Sequence, residues 1–215
     1  MVVLTLASAS PRRQELLRLT GWKVVTRSAE VEERQEPGET PENMTRRLAL
    51  AKARATVGEL VLGADTVVVR DDEVLGKPAD EVQARRVLQA LRGRSHQAVS
   101  SIALVNTNGR TLATDTCVSD VPMRKYADEE IEGYLASGSP LDKAGAYGIQ
   151  DGGFQPVSMD GMQDCFANVM GLPLCHLVRS MRRLGHEPLA DVPAACQAHT
   201  GYDCRVFPAI LRGEQ

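Results

Sequence analysis

The apolar positions along the chain change period several times, and each change marks an element. Residues 2–7, VVLTLA, are a short apolar run of strand length. Ser10 then offers a helix N-cap and Pro11 a first helical position; Leu16, Leu17 and Leu19 face a core before Gly21 stops the helix. Thr40-Pro41 repeats that start, and the predicted helix buries Met44, Leu48, Ala51 and Ala55, carries Lys52 beside the stripe and ends at Gly58. VLGADTVVV, residues 61–69, reads as a buried strand, and Asp71-Asp72 before EVLGKP predicts a hairpin. A third helix over 79–92 turns Val82, Val87, Leu88 and Leu91 inward and closes at Gly93. HQAVSSIALVN and TLATDTCVSDVPM flank Asn108-Gly109, the strongest short hairpin signal in the chain. A helix over about 128–137 follows, and then PLDKAGAYGIQDGG, glycine-rich and without period, predicts turns. The last predicted helix starts at Pro173, with Leu174, Leu177, Val178, Met181 and Leu184 on one face, and beyond Gly185 no pattern is sustained.

This order of strands and helices, with two long strands joined by a tight turn, predicts an α/β protein with a mixed sheet. Neither a dinucleotide-binding GxGxxG after the first strand nor a P-loop is present. The 215 residues, 43% hydrophobic and 25% charged, suffice for one domain or two closely packed lobes. A formal charge of −3 argues against a general nucleic-acid binder, so any anion is bound locally. No apolar run approaches the roughly 20 residues of a membrane span, and MVVLTLASAS lacks the basic start of a secretory signal. The expectation is a soluble cytoplasmic protein with no membrane partner. Five cysteines without a CxxC pair suit reduced thiols. Cys196, His199 and Cys204 leave three readings open: a zinc site completed by His186 or Cys175, a disulfide, or ordinary tail residues.

Candidate chemistry begins at LASASPRRQELL. A strand running into a short loop and a helix presents the unpaired N–H groups of the first turn, and the macrodipole there favours an anion. Arg12 and Arg13 stand in that turn, with Ser8 and Ser10 as hydroxyl donors; the alternative is a solvated helix start. Asp65 shifts the balance. A carboxylate among Val61, Leu62, Val67, Val68 and Val69 costs several kcal/mol if buried alone, so it must meet a cation, a metal or a cleft. Glu32 and Glu33 are further acids outside a clear helix, and Lys77 before Pro78 is a phosphate contact or surface.

LASASPRRQELL, VEERQEP, LALAKARA, GADTVVV followed by EVLGKP, LRGRSHQAVSSIAL, PLDKAGAYGIQ and NVMGLPL resemble, in that order, the motifs of the Maf family of nucleoside triphosphate pyrophosphatases. The match spans about residues 4–184. The resemblance implies a Maf-like domain over 1–185 followed by a C-terminal extension over 186–215. It implies an elongated mixed sheet with flanking helices, similar to inosine-triphosphate pyrophosphatases, with a cleft between two lobes. The implied reaction is metal-dependent cleavage of a nucleoside triphosphate between its α and β phosphates, and the implied assembly is a homodimer.

The same resemblance puts the proton acceptor on Asp65 and the phosphate and metal region on Ser8, Arg13, Glu33, Lys52 and Lys77, with Lys143 carried over from DKAGAYG. Mg²⁺ or Mn²⁺ is the implied cation, with Glu33 and Asp65 as its ligands; Asp65 binds metal, activates water, or both. Arg12, Thr66 and Gln150 match the dTTP/UTP-preferring branch, against Trp, Gln and Glu in the branch acting on 7-methyl-GTP. A non-catalytic nucleotide-binding regulator of cell division is the competing class. SMDGMQDCFANVMGLPL departs from the family pattern, with Gln163, Asp164 and Cys165 where tyrosines often stand.

Overall fold

The computed structural model describes residues 2–28 and 30–214. Its elements run β1 (Val3–Leu6), α1 (Pro11–Arg18), β2 (Lys23–Thr26), α2 (Pro41–Arg54), β3 (Leu60–Arg70), β4 (Glu73–Leu75), α3 (Glu81–Leu91), β5 (Ser95–Asn106) and β6 (Thr111–Pro122). There follow α4 (Asp128–Leu135), a series of single 3-10 turns, α5 (Phe166–Met170), α6 (Leu174–Arg183), α7 (Val192–Thr200) and α8 (Phe207–Arg212). The six strands form one mixed sheet in the order β2-β1-β3-β5-β6, with β4 paired to β3. β1 is parallel to both β2 and β3, whereas β3, β5 and β6 are antiparallel. The two-residue turn between β3 and β4 holds Asp71 at φ 50 and Asp72 at φ 64, the paired positive values that a type I′ turn demands.

Alternation along β3 sorts the core into two layers. Leu60, Leu62, Ala64 and Val68 face the larger cluster, which holds the apolar sides of α1, α3, α4 and α6. Val61, Val67 and Val69 face α2 with Val99, Ala103 and Val105 of β5. Gly63 lies between these valines. A Cβ there would stand 1.9 Å from the Ala49 carbonyl oxygen, so the absence of a side chain lets the α2 backbone rest directly on the strand. That contact rotates α2 from the expected face: the buried stripe is Met44, Thr45, Leu48, Ala49, Lys52 and Ala53, Lys52 lies within it, and Ala51 and Ala55 turn outward. Val82, expected inside, is 52% exposed in the first turn of α3.

The extension is ordered structure rather than patternless tail. Val192 and Ile210 are buried, Trp22 Nε1 donates to the Glu187 carbonyl at 2.8 Å, and Tyr202 Oη donates to the Met162 carbonyl at 2.9 Å. All five cysteines are free, and no three His, Cys, Asp or Glu side chains among the described residues are grouped to hold a metal, which removes the zinc and disulfide readings of Cys196, His199 and Cys204 in this structure. No helix among the described residues is long and apolar enough to cross a membrane.

Candidate active site

A break in strand pairing creates the cleft. β1 accompanies β3 only from Leu60 to Leu62, and β4 joins the same edge only from Val68. Between them the edge at Gly63–Val67 has no strand partner among the described residues. The chain leaves β1 at this point: Ala7 N donates to the Leu62 carbonyl at 2.8 Å, and the backbone then turns into α1. The first turn of α1 therefore sits beside the residue that lies three strand positions beyond Leu62, roughly 10 Å along β3. That residue is Asp65. The resulting cleft, about 380 Å³, is lined by Ser8, Arg12, Arg13, Glu33, Lys52, Asp65, Thr66, Lys77, Lys143 and Gln150.

Asp65 and Thr66 project to opposite faces of the sheet and so build two different walls. On the α2 side, Lys52 Nζ lies 2.6 Å from Asp65 Oδ1 and 2.6 Å from Glu33 Oε1. Lys52 and Asp65 are buried, which resolves the cost of a carboxylate in an apolar strand by direct pairing. Lys77 Nζ stands 3.6 Å from Glu33 Oε2 and keeps 59% of its side chain exposed. Partial burial works against the Glu33 charge, but the Lys52 hydrogen bond and the charges of Lys52, Lys77 and Arg13 outweigh it and hold that carboxyl below its usual value. Asp65 Oδ2 has no hydrogen-bond partner among the described residues.

On the other face, Thr66 meets α1. Arg13 Nε donates to the Gly171 carbonyl at 2.8 Å, one terminal nitrogen to Ser8 Oγ at 3.3 Å and the other to Thr66 Oγ1 at 3.2 Å. Thr66 is itself held by Ser100 Oγ at 2.9 Å. Burial lowers the Arg13 pKa, and the charges of Asp65 and Glu33 oppose that fall. Arg13 is thus a rigid cation with its fork fixed before any ligand arrives.

The third wall comes from the aperiodic segment. Arg12 NH1 donates to Asp142 Oδ2 at 3.0 Å. Lys143 is buried, and its ammonium donates to Ser139 O at 2.6 Å, Ser139 Oγ at 2.8 Å and Asp142 Oδ1 at 2.7 Å, which engages all three of its protons. Burial disfavours the Asp142 charge, but hydrogen bonds from Lys143 and Arg12 overcome it and lower the pKa. Gln150 Nε2 donates to Asp151 Oδ1 at 2.8 Å, while its Oε1 is buried with no partner among the described residues. Asp142, Asp151 and the Gly171 carbonyl were not singled out from the sequence. The signals for them were present only as neighbours of Lys143 and Gln150 and as the glycine of NVMGLPL.

Residues 3–184 match the family model described as Maf-like protein. The dTTP/UTP pyrophosphatase of Symbiobacterium thermophilum is 44% identical over 191 residues, covering 86% of this chain and 96% of its own. That of Geotalea uraniireducens is 42% identical over 184 residues, covering 84% and 94% respectively. Among solved structures, the Staphylococcus aureus Ham1 protein aligns with a TM-score of 0.41 at 17% identity, over 59% of this chain and 72% of that one.

Proposed function

This chain belongs to the Maf family, and from that premise we propose that it hydrolyses dTTP and UTP to the nucleoside monophosphate and pyrophosphate. One observation carries the reading. A single cleft holds a base, Asp65, braced by Lys52, which Glu33 also pairs, beside the fixed Arg13 guanidinium, and Gln150, whose Oε1 has no partner among the described residues, lines the same cleft. The names of the relatives support it.

The chain's own groups suit attack on phosphorus. Lys52 occupies Asp65 Oδ1, which leaves Oδ2 to take the proton of a water. Arg13 and the mobile-stemmed, exposed Lys77 supply positive charge for the polyphosphate, with the Ser8 hydroxyl beside them. Arg12 and Lys143 hold the far wall through Asp142. Hard divalent cations take one or two carboxylates and draw their remaining ligands from phosphate and water. Glu33 and Asp65, converging on one ammonium, fit that donor set for Mg²⁺ or Mn²⁺. When bound, such an ion would neutralise phosphate charge. The homodimer and cytoplasmic location implied by the resemblance belong to the same proposal.

Gln150 carries the base preference. An amide oxygen accepts the N3–H of uracil or thymine, whereas cytosine N3 is itself an acceptor and leaves two lone pairs opposed. The same positions speak against the 7-methyl-GTP branch, which resembles this scaffold with Glu in place of Gln150.

The test is pyrophosphate release from dTTP, UTP, CTP, GTP and 7-methyl-GTP with Mg²⁺ or Mn²⁺. Turnover should be fastest with dTTP and UTP, and Asp65→Asn should lower kcat by about 10²–10⁴ without unfolding the protein. Nucleotide binding without turnover would replace the enzyme with a regulator. Orthophosphate as first product would overturn cleavage at the α–β bond.

A further inference from the structure

Asp151 sits in the aperiodic segment GIQDGG, outside every residue assigned above to phosphate or catalysis. It collects three hydrogen bonds and one ion pair. Tyr134 Oη reaches Oδ2 at 2.5 Å, Ser139 Oγ reaches the same oxygen at 3.0 Å, Lys143 Nζ stands 3.4 Å from it, and Gln150 Nε2 donates to Oδ1 at 2.8 Å. Burial, with the hydrogen bond to Asp151 adding to it, pushes the Tyr134 phenol up from its ordinary value, so it stays a donor at neutral pH. Held on Oδ2 by two hydroxyls, with the Lys143 charge beside it, the carboxylate turns its other oxygen to Gln150. A carboxylate only accepts, so Gln150 has one favourable way round, with the NH₂ on Asp151 and the carbonyl oxygen free. That oxygen is the buried acceptor left without a partner among the described residues.

We propose that Asp151 is a positioning residue for base choice: it locks the Gln150 amide so that the acceptor, not the donor, is offered to the pyrimidine N3. This rests on the dTTP/UTP reading above and deepens it. The anchor, rather than Gln150 alone, excludes cytosine, because a free amide would turn over and donate to cytosine N3. Discrimination by a fixed hydrogen-bonding group is strong when the wrong partner leaves a buried polar atom unpaired.

The experiment compares kcat/KM for UTP and CTP in the full chain and in Asp151→Asn. An asparagine at this position presents either an oxygen or an NH₂ to Gln150, so the amide is released from its single orientation. The UTP:CTP ratio is expected to narrow by about tenfold or more, with CTP gaining in absolute kcat/KM. Tyr134→Phe removes another hydrogen bond to the same carboxylate but keeps the Asp151–Gln150 contact; it should lower thermal stability while leaving the ratio in place. Asp151→Gly, which frees the amide outright, gives the same reading should the asparagine variant fail to fold. A folded Asp151 variant with the wild-type ratio overturns the proposal, as does an equal narrowing in Tyr134→Phe. Absence of UTP turnover in the wild-type chain defeats the enzymatic reading itself, an outcome separate from an unchanged ratio in an active enzyme.

Discussion

At Lys52 one ammonium serves two acids, 2.6 Å from Glu33 Oε1 and 2.6 Å from Asp65 Oδ1, with only 7% of its own side chain exposed. Removing one partner of a buried pair leaves the other charge uncompensated, at a cost of about 3–5 kcal/mol. Lys52→Met keeps the length of the stem and removes the charge, so it should destabilise the fold by about that much in urea titration. The double variant Lys52→Met/Asp65→Asn should recover much of the loss, because the stranded carboxylate is gone too. Simple additivity of the two single changes would show that the pair is not the source of the cost. Asp65 was legible in the sequence for the same physical reason: a charge in an apolar strand has few permissible environments. Which lysine answers it was not, because that depends on the rotation of α2. Asp142 and Asp151 were hidden differently, in a segment where no period assigns a side chain to any face.

The elements that place these residues depend on one close approach. Along β3, Gly63 precedes Asp65 on the same face, and the ideal Cβ at Gly63 falls 1.9 Å from Ala49 O and 2.8 Å from Ala53 N, both backbone atoms of α2. Neither can swing aside as a side chain would. Gly63→Ala should therefore push α2 away from the strand, costing about 1–3 kcal/mol in stability. The shift also lengthens the Lys52–Asp65 contact, and a misplacement of about 1 Å can cost roughly 10²-fold in kcat/KM. Gly133→Ala is the contrast: a Cβ in α4 meets nothing within 4 Å, so that change should stabilise by about 0.5–1 kcal/mol and leave turnover alone. Equal behaviour of the two alanine variants in melting and kinetics would refute the role given to Gly63. The long elements were readable because alternation and caps are local: Ser10 and Thr40 cap their helices, and both hairpins stand where the turn residues put them. β2 was missed because this largely exposed edge strand carries no apolar run, and α5 because five residues are too few to show a helical period.

At the scale of the molecule, the site exists because β1 ends before β3 does, a relation between strands distant in sequence that no local pattern displays. The extension was unreadable for a similar reason: α7 and α8 bury single residues, Val192 and Ile210, against a core built by the rest of the chain. A cavity of about 940 Å³ between that extension and the 149–163 segment shares Gln150 and Met170 with the cleft that holds Asp65. Packing of this kind also buries two histidines, His96 on β5 and His176 on α6, each 3% exposed. Burial, reinforced by Arg70 and opposed by Asp120, lowers His96 to about 4. Burial, opposed by Asp115 and reinforced by Arg179, lowers His176 to about 4. An unfolded histidine titrates near 6.5, so between that pH and 4 the unfolded chain binds protons that the native one refuses. Stability must therefore fall as pH falls through this window, by about 2 kcal/mol per histidine between pH 7.5 and 5. Glu33, whose folded pKa is lowered, acts the same way only further down, as pH drops through the carboxylate range. His176→Leu removes one of the two histidine contributions and leaves the Glu33 one. Denaturant titrations at pH 7.5 and 5 should then show a loss about 2 kcal/mol smaller in His176→Leu than in the wild type. Superimposable pH profiles for the two proteins would mean that His176 takes up its proton as readily in the native state as in the unfolded chain, and with it that the α6 core is wetter than its packing indicates.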